Sequence, residues 1–390
     1  VLSAGHDVKA KGIQAIADDN LHVQAGHDVD IGATTNHFKE VHQQTKKTSG
    51  VLASGGGITF GSKSEKHHVE SEGWTQSDGR STLGSLHGNI SVQAGNHAHV
   101  MGTDMITPRT NRIDVEAASV KVEAGKDIIH TNERHEYKQS GVSLAVSSPM
   151  IEAAQSVMKS VKRSGEVKNE RLKQLYQLKA AYEVGSVLGA AKGVANTLSS
   201  LGNMNGGGDI SSPSVKISVS VGASKSTQTS ESKTITHSGS ELNAGTVNLT
   251  SRKGDVDVLG STLNAKRLEL DVAKNLNVES VQDTYHNRSE NKNTGWSVGV
   301  FAGANGNSYG IGVEGSAQVG KGHENSDSVT QRNSYLNAEE TIIKTGKDAN
   351  FKGAVVKTDR LETDIKGNLN LESRQDSNHY DSKQTQAGAG

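Results

Sequence analysis

The sequence has no cysteine, only 3 prolines and only 3% aromatic residues in a chain of 390. The absence of cysteine excludes a disulfide framework, thiolate catalysis and thiolate metal sites. The scarcity of aromatic residues removes the large side chains that anchor ordinary globular cores. Since 44 glycines add to a 32% hydrophobic content, the apolar share stays close to the usual one. Small aliphatic side chains therefore have to fill a narrow core.

The chain also lacks an excess of charge, because 42 basic residues balance 43 acidic ones. No overall field would concentrate it on a polyanion, so we expect no nucleic-acid partner. The N-terminus shows no charged leader followed by an apolar stretch, and it opens within a motif that recurs later. We interpret the sequence as a segment of a longer protein.

A repeat of 20 to 21 residues is the main signal in the sequence. Ala-Gly-His-Asp-Val at positions 4–8 returns at 25–29, and Ser-Glu-Leu-Asn-Ala at 240–244 is echoed by Ser-Thr-Leu-Asn-Ala at 261–265. Self-similarity at a fixed short period is typical of solenoids. The period indicates one coil of a β-helix.

Apolar residues alternate within each repeat, as in Leu268, Leu270 and Val272, and a period of two predicts strands. The two short strands of a repeat are joined by a polar turn written Gly-His-Asp, Gly-Lys-Asp or Lys-Gly-Asn, at 26–28, 125–127, 346–348 and 366–368. So short a strand cannot bury one face alone, but coils stacked at ~4.8 Å form continuous apolar columns. We predict an all-β fold, a right-handed parallel β-helix of about 20–21-residue coils.

A larger repeat is superimposed on the coils, in which a polar excursion carries a glycine-rich alternating hairpin. Excursions occupy residues 34–88, 131–239 and 284–334, and a fourth begins at 377–390. Asn305-Gly306 between alternating arms is typical of a hairpin turn. We expect the hairpins to project from a single β-helical repeat region that covers residues 1–390.

The second excursion alone contains a helical pattern, over about 150–201. Leu172, Leu175 and Leu178 follow helical spacing there, and small residues dominate its later part. We predict one α-helical insertion that packs on the β-helix or on a partner helix. Contact with lipid is the alternative.

Three segments, by their residues and their order, resemble those of a known family. They are Ser-Tyr-Leu-Asn-Ala at 334–338, Thr-Gly-Lys-Asp-Ala-Asn-Phe-Lys-Gly-Ala-Val-Val at 345–356 and Ile-Lys-Gly-Asn-Leu-Asn-Leu-Glu-Ser at 365–373. Together they resemble the haemagglutinin repeats of filamentous-haemagglutinin-type exoproteins, which contact-dependent growth inhibition proteins of the CdiA type share. The resemblance covers the chain apart from the helical insertion.

The resemblance implies a protein that is secreted or surface-exposed in a Gram-negative bacterium, by two-partner secretion through an outer-membrane transporter. Its other implied partners are neighbouring repeats of the same polypeptide and the outer membrane or a surface glycan of a target cell. It implies a non-enzymatic segment that acts as filament and cell-contact surface in growth inhibition or toxin delivery. An adhesin stalk that binds host or bacterial glycans is the first alternative. A β-helical polysaccharide-degrading enzyme is the second.

Motifs for catalysis or cofactors find a structural explanation in the repeats, and we expect no catalytic residue and no cofactor. The glycines of 310–315 match a dinucleotide fingerprint but lie within a hairpin and precede no helix. The turn at His27 and Asp28 carries lysine in other copies, which would repel a metal, so its histidines could be ligands only if copies converged. We predict a structural role in turns and coil-to-coil ladders for Gly26, Asp28, Asn243, Asn264, Asn337, Gly346 and Asp348.

Two histidine pairs are the remaining weak candidates for a metal site. His67 and His68 lie between Glu65 and Glu70, and His97 and His99 alternate on one strand. Neither pair has an evident third ligand, which a protein metal site needs. We therefore predict no metal.

Overall fold

The alternating repeats fold into short strands that wind into stacked coils. The structure is a computed structural model that describes residues 1–54, 57–147, 215–305 and 308–390. The helical insertion expected at 150–201 lies outside the described residues. No helix among the described residues has the length and apolarity that a membrane span requires.

The first fourteen strands, in chain order, are β1 Leu2–Ala4, β2 Val8–Lys11, β3 Gln14–Ala17, β4 Leu21–Ala25, β5 Val29–Gly32, β6 Asn36–Ser54, β7 Gly57–Thr75, β8 Ser81–Ser85, β9 Ile90–Ala94, β10 His97–Met101, β11 Thr103–Ile106, β12 Arg112–Ala117, β13 Ser119–Glu123 and β14 Gly125–Ser147. The others are β15 Val215–Ser238, β16 Glu241–Asn243, β17 Thr246–Ser251, β18 Val256–Leu259, β19 Thr262–Asn264, β20 Arg267–Val272, β21 Leu276–Glu279, β22 Val281–Asn305, β23 Ser308–Arg332, β24 Ser334–Thr345, β25 Ala349–Lys352, β26 Ala354–Ile365, β27 Leu369–Glu372 and β28 Ser377–Ala389. A 3-10 turn follows β7 at Ser77–Gly79.

Each coil contributes one strand to each of three parallel faces. Face 1 contains β1, β4, β9, β12, β17 and β20, and face 3 contains β3, β8, β11, β16 and β19. The long strands β24 and β26 turn the corner from face 3 to face 1, so the two faces form one 13-stranded sheet. Face 2 is a separate sheet of eight strands, from β2 to β27. The β-helix is therefore a three-sided column.

Inward-facing residues of the three faces build a core of small aliphatic side chains. On face 2, for example, Ile31, Val100, Val122 and Val258 lie one above another in successive coils and are fully buried. Phe351 is the one aromatic side chain in the core of the described residues. A coil this narrow has room for aliphatic side chains but not for stacked aromatic ones, which explains the composition.

The hairpins join into a third sheet beside the column. The chain leaves the β-helix after β5, β13, β21 and β27, which belong to every second coil, and the excursions pair antiparallel in the order β28-β23-β22-β15-β14-β7-β6. Two coils rise by ~9.6 Å and two hairpin strands occupy the same ~9.6 Å, because both stack at the hydrogen-bonding distance of ~4.8 Å. The hairpin sheet and the column therefore share one spacing.

A buried serine closes the coil at each point where a hairpin rejoins it. The Ser81 hydroxyl donates to the Gly32 carbonyl at 2.7 Å, and the Ser240 hydroxyl donates to the Glu123 carbonyl at 2.8 Å. Ser334 makes the same bond to Glu279 at 2.6 Å. Since each bond links the residue before the hairpin to the residue after it, the coil continues as if the hairpin were absent.

The prediction of an all-β parallel β-helix is confirmed, with two corrections to the assignment of its parts. A coil contains three strands, not two, because Asn243, Asn264 and Asn337, which the sequence assigns to turns, lie in strands of a third face. Residues 125–127 do not form a copy of the Gly-His-Asp turn but begin the hairpin strand β14. There the Asp127 carboxylate accepts the backbone N–H groups of Gln76 and Ser77, at 2.6 and 3.0 Å.

Candidate functional site

The turn aspartates connect successive coils at the corner between faces 1 and 2. Asp28 Oδ1 accepts the backbone N–H of His97 and the side-chain amide of Asn96, both at 3.0 Å. Asp348 Oδ1 accepts the backbone N–H of Asn368 at 2.7 Å and its side-chain amide at 3.2 Å. Each carboxylate therefore satisfies a donor that the next coil would otherwise leave without a partner in the ladder.

The glycines of the same turn lie where the backbones of two coils approach closely. A Cβ atom on Gly26 would lie 2.1 Å from the Gly5 carbonyl oxygen, and one on Gly346 would lie 2.2 Å from that of Ala273. Neither distance leaves room for a side chain, so only glycine fits without moving a coil.

Asparagines form a ladder along face 3. The Asn264 amide donates to Asn243 Oδ1 at 2.7 Å, and the Asn337 amide donates to Asn264 Oδ1 at 2.9 Å. A second ladder, which sequence reasoning missed, runs along face 2 through Asp257, Asn277, Asn350 and Asn370 with steps of 2.7 to 2.8 Å. Its signal in the sequence was the 20-residue offset from Asp257 to Asn277 and from Asn350 to Asn370; the middle step spans 73 residues because a hairpin intervenes.

The four histidines considered as metal ligands do not come together. His67 and His68 lie on β7 in the hairpin sheet, whereas His97 and His99 lie on β10 in the column. His67 Nε2 is 2.7 Å from Glu133 Oε1. Among the residues that the structure describes, none of these four histidines belongs to a group of three convergent His, Asp or Glu ligands.

His99 instead joins a row of ionisable side chains across four coils of face 2. Its Nδ1 lies 3.0 Å from Asp30 Oδ1 and its Nε2 lies 2.7 Å from Glu123 Oε1. Lys11 and Lys121 extend the row at its two ends, each 2.7 Å from a carboxylate oxygen. Burial raises the pKa of Glu123, but hydrogen bonds from His99 and Lys121 outweigh it and bring the pKa down to about 2.

The depressed pKa of Glu123 predicts a pH-dependent contribution to stability. Because the folded pKa lies below the ordinary 4.5, the contribution is complete above pH 4.5 and disappears as the pH falls toward 2. Urea unfolding of E123Q should show a loss of about 2–3 kcal/mol at pH 7 and about half of that at pH 3. E116Q, at a more exposed glutamate on β12, should lose under about 1 kcal/mol. An equal E123Q deficit at both pH values would contradict the assignment.

The outer part of the hairpin sheet presents an apolar face. Residues opposite one another across its strands point to the same side, and on one side of the sheet nearly all of them are apolar. Their exposure runs from 41% for Leu144 to 83% for Ile311. The apolar face comprises Val51, Ile58, Phe60, Val142, Leu144, Ile217, Val219, Val221, Trp296, Val298, Val300, Ile311 and Val313. Contiguous exposed apolar surface of this kind marks an interaction site.

A groove borders the apolar face on the side nearer the column. Its floor is a row of small residues that includes Ser62 and Ser140, and Trp296 lies in the same row. The next row, two residues further along each strand, carries Lys47, Lys138 and Lys225. The groove encloses about 700 Å³. Toward the column, this side of the sheet therefore presents first apolar side chains, then the aromatic ring of Trp296 and then the row of lysines.

The opposite side of the outer hairpin sheet carries mainly small and polar residues, with Leu52 and Phe301 as its large apolar ones. Thr59, Ser143 and Ser220 occupy one cross-strand row there, and the Thr59 and Ser143 hydroxyls lie 2.8 Å apart. The alternation that separates the two sides was visible in the sequence, for example in Ile-Ser-Val-Ser-Val at 217–221. What the sequence did not reveal is that strands from three hairpins align in register.

Stacked parallel coils with a hairpin on every second coil define a β-helical repeat protein. Comparison with known proteins agrees, because the hemagglutinin repeat family model matches residues 190–294 and 221–387, which is just over half of the chain. No solved structure matches. The chain belongs to the haemagglutinin-repeat family of CdiA-type exoproteins, which are secreted or cell-surface proteins of Gram-negative bacteria.

Curated relatives match along the entire chain. They include the tRNA nuclease CdiA of Yersinia mollaretii and the 16S rRNA endonuclease CdiA of Enterobacter cloacae, both 33% identical, and the deoxyribonuclease CdiA of Dickeya dadantii, 32% identical. Each match covers 100% of this chain but only 11–13% of the relative. The chain thus spans about an eighth of the length of these relatives and corresponds to a structural repeat region within them.

Proposed function

We propose that this segment is a filament and cell-contact region that serves toxin delivery at the outer membrane of a target cell. The observation that carries the proposal is the order of chemistry on one side of the hairpin sheet, from apolar rows through Trp296 to the lysine row. A membrane presents acyl chains, an interfacial zone and anionic phosphates in the same order. The apolar face would enter the outer leaflet while the lysines contact lipid phosphates.

The proposal assigns no catalysis to this segment. Relatives that match it over its whole length carry three different nuclease names. A shared segment cannot by itself account for cleavage of three different nucleic acids, so the nuclease activity belongs to other parts of those proteins. We propose likewise that any toxin activity of the protein to which this segment belongs resides outside the segment. An outer-membrane transporter is its proposed partner during secretion.

Tryptophan fluorescence can test the membrane contact, because the chain contains only Trp74 and Trp296. In W74F, the emission of Trp296 should shift to shorter wavelength when vesicles of lipopolysaccharide and phospholipid are added. In W296F the remaining Trp74, which lies near the base of the first hairpin beside His37, should not respond. An unchanged Trp296 spectrum at saturating lipid would refute the contact.

Paired variants separate the apolar and cationic contributions. V219S/V300S/V313S replaces three valines of one apolar cross-strand row and should weaken vesicle binding at least tenfold, since it exposes three fewer apolar side chains. K47Q/K138Q/K225Q should remove most of the salt dependence of binding. The matched control K253Q/K274Q/K344Q makes the same charge change at exposed lysines of the column and should bind as the unaltered chain does. Equal weakening by both lysine variants would mean that the lysine row has no special role.

A further inference from the structure

The repeated Gly-His-Asp turns bring two histidines and an aspartate together at the corner of the first two coils. His6 and His27 occupy the same position one coil apart, and their rings stack with centroids 4.8 Å apart. The backbone N–H of His27 donates to the His6 carbonyl at 2.7 Å, and parallel pairing of β1 with β4 and of β2 with β5 fixes both sides of the turn. The convergence of copies that a metal site requires is thus present here.

The ligand atoms of these residues point toward one another. His6 Nδ1 lies 2.9 Å from Asp7 Oδ1, and His27 Nδ1 lies 3.4 Å from the same oxygen. One ligand atom from each of the three residues lies within 4.8 Å of the other two. Zn²⁺ with bonds of about 2.0–2.1 Å to tetrahedral ligands separates those ligands by about 3.3 Å. Rotation of the exposed imidazole rings would bring the ligand atoms toward that spacing while the backbone keeps its pairing.

The charges of the turn favour a cation. The Asp7 carboxylate lies beside both imidazoles, and its Oδ1 also accepts the backbone N–H of Asp28 at 3.2 Å. Asp28 Oδ2 lies 3.1 Å from His27 Nδ1 and adds a second carboxylate at the rim. Among the residues that the structure describes, this is the one group of three His, Asp or Glu ligands with such convergence.

Other copies of the turn lack the histidines. The corresponding residue is Asn96 in the third coil, Lys274 in the sixth and Lys347 in the seventh. The turn itself folds with each of these residues, so the paired imidazoles are not needed for the geometry of the corner. We propose that His6, Asp7 and His27 bind Zn²⁺ through the two Nδ1 atoms and the carboxylate, and that the ion clips the first coil to the second.

Isothermal titration of the full chain with ZnCl₂ tests this site. The unaltered chain should bind one Zn²⁺ in a saturable step, and hydrogen exchange should then slow in β1 and β4, since a ligand specific to the folded state stabilises it. H27K, which copies the natural Lys347 turn, should bind at least tenfold more weakly. H22K changes an outward-facing histidine on β4 and should bind Zn²⁺ normally.

A second variant, D7N, distinguishes the loss of a metal ligand from the loss of the fold. D7N removes the ligand charge but keeps an oxygen that can accept the Asp28 N–H, a bond of 3.2 Å in this structure. It should also lose at least tenfold in affinity while the β-sheet circular dichroism stays unchanged. Equal Zn²⁺ binding by the unaltered chain, H27K and D7N, or no saturable binding at all, would overturn the assignment.

Discussion

Deletion of residues 244–264 is expected to disrupt the hairpin sheet while the β-helix remains folded. The deletion joins Asn243 to Ala265, which reproduces the native Asn243-Ala244 and Asn264-Ala265 sequences. It removes one complete coil, because Asn243 and Asn264 are direct neighbours in the face 3 ladder. Coils on either side can therefore stack directly, and the column loses only one layer.

The hairpins cannot adapt to this change. Those of β14–β15 and β22–β23 would leave from adjacent coils ~4.8 Å apart, although each needs ~9.6 Å for its two strands. The pairing between β15 and β22, which now runs from Val215 to Ile235 on one side, should be lost. Amide hydrogen exchange of β15 and β22 should accelerate by orders of magnitude at these positions.

A longer deletion provides the matched control. Removal of residues 244–337 joins Asn243 to Ala338 at the next equivalent asparagine. It takes out two coils together with the β22–β23 hairpin, so the remaining hairpins keep their spacing of two coils. Protection should then persist in the shortened hairpin sheet. If both deletions left the sheet equally protected, the shared spacing would have no structural importance.

Truncation of Leu263 to alanine is expected to cost about 3–5 kcal/mol of unfolding free energy. Leu263 is fully buried on face 3 between Leu242 and Leu336, which are also fully buried. The neighbouring coils hold the backbone by parallel ladders on both sides, so the cavity has little freedom to collapse. Urea unfolding monitored by circular dichroism measures the loss.

Thr262→Ala is the control for Leu263→Ala. Thr262 precedes Leu263 on the same strand, and its side chain faces outward and is only partly buried. Its truncation should change the unfolding free energy by less than about 1 kcal/mol. Similar costs for the two variants would mean that Leu263 does not pack in the core.

Local periodicity was enough to predict the coils. Leu268, Leu270 and Val272 alternate with polar residues over the six residues of β20, and this alternation predicts a strand. The third strand of the coil escaped detection because β16 and β19 have only three residues each, too few for alternation to be distinguished from a turn. The asparagine that ends each of them strengthened the turn interpretation, although it forms a ladder between strands.

The hairpin sheet depends on pairing between residues far apart in the chain, which no local sequence pattern predicts. Val142 on β14 lies opposite Phe60 on β7 and Val221 on β15, residues that are far apart in the chain. Alternation within each hairpin predicted two-sided strands, but it could not predict that the apolar sides of several hairpins would coincide. The same limit applies to His6 and His27, whose convergence follows from the stacking of coils and not from the turn motif itself.

If the hairpins bind a membrane as proposed, the shared spacing of column and hairpin sheet also links the length of the β-helix to the avidity of that binding. One module of two coils lengthens the column by ~9.6 Å and brings one more hairpin, with its own apolar side chains, into register. Gene duplication of whole modules would therefore increase reach and valency in fixed proportion. A lineage that needed greater reach without stronger adhesion would have to add coils without hairpins, in even numbers, and leave a gap in the contact surface.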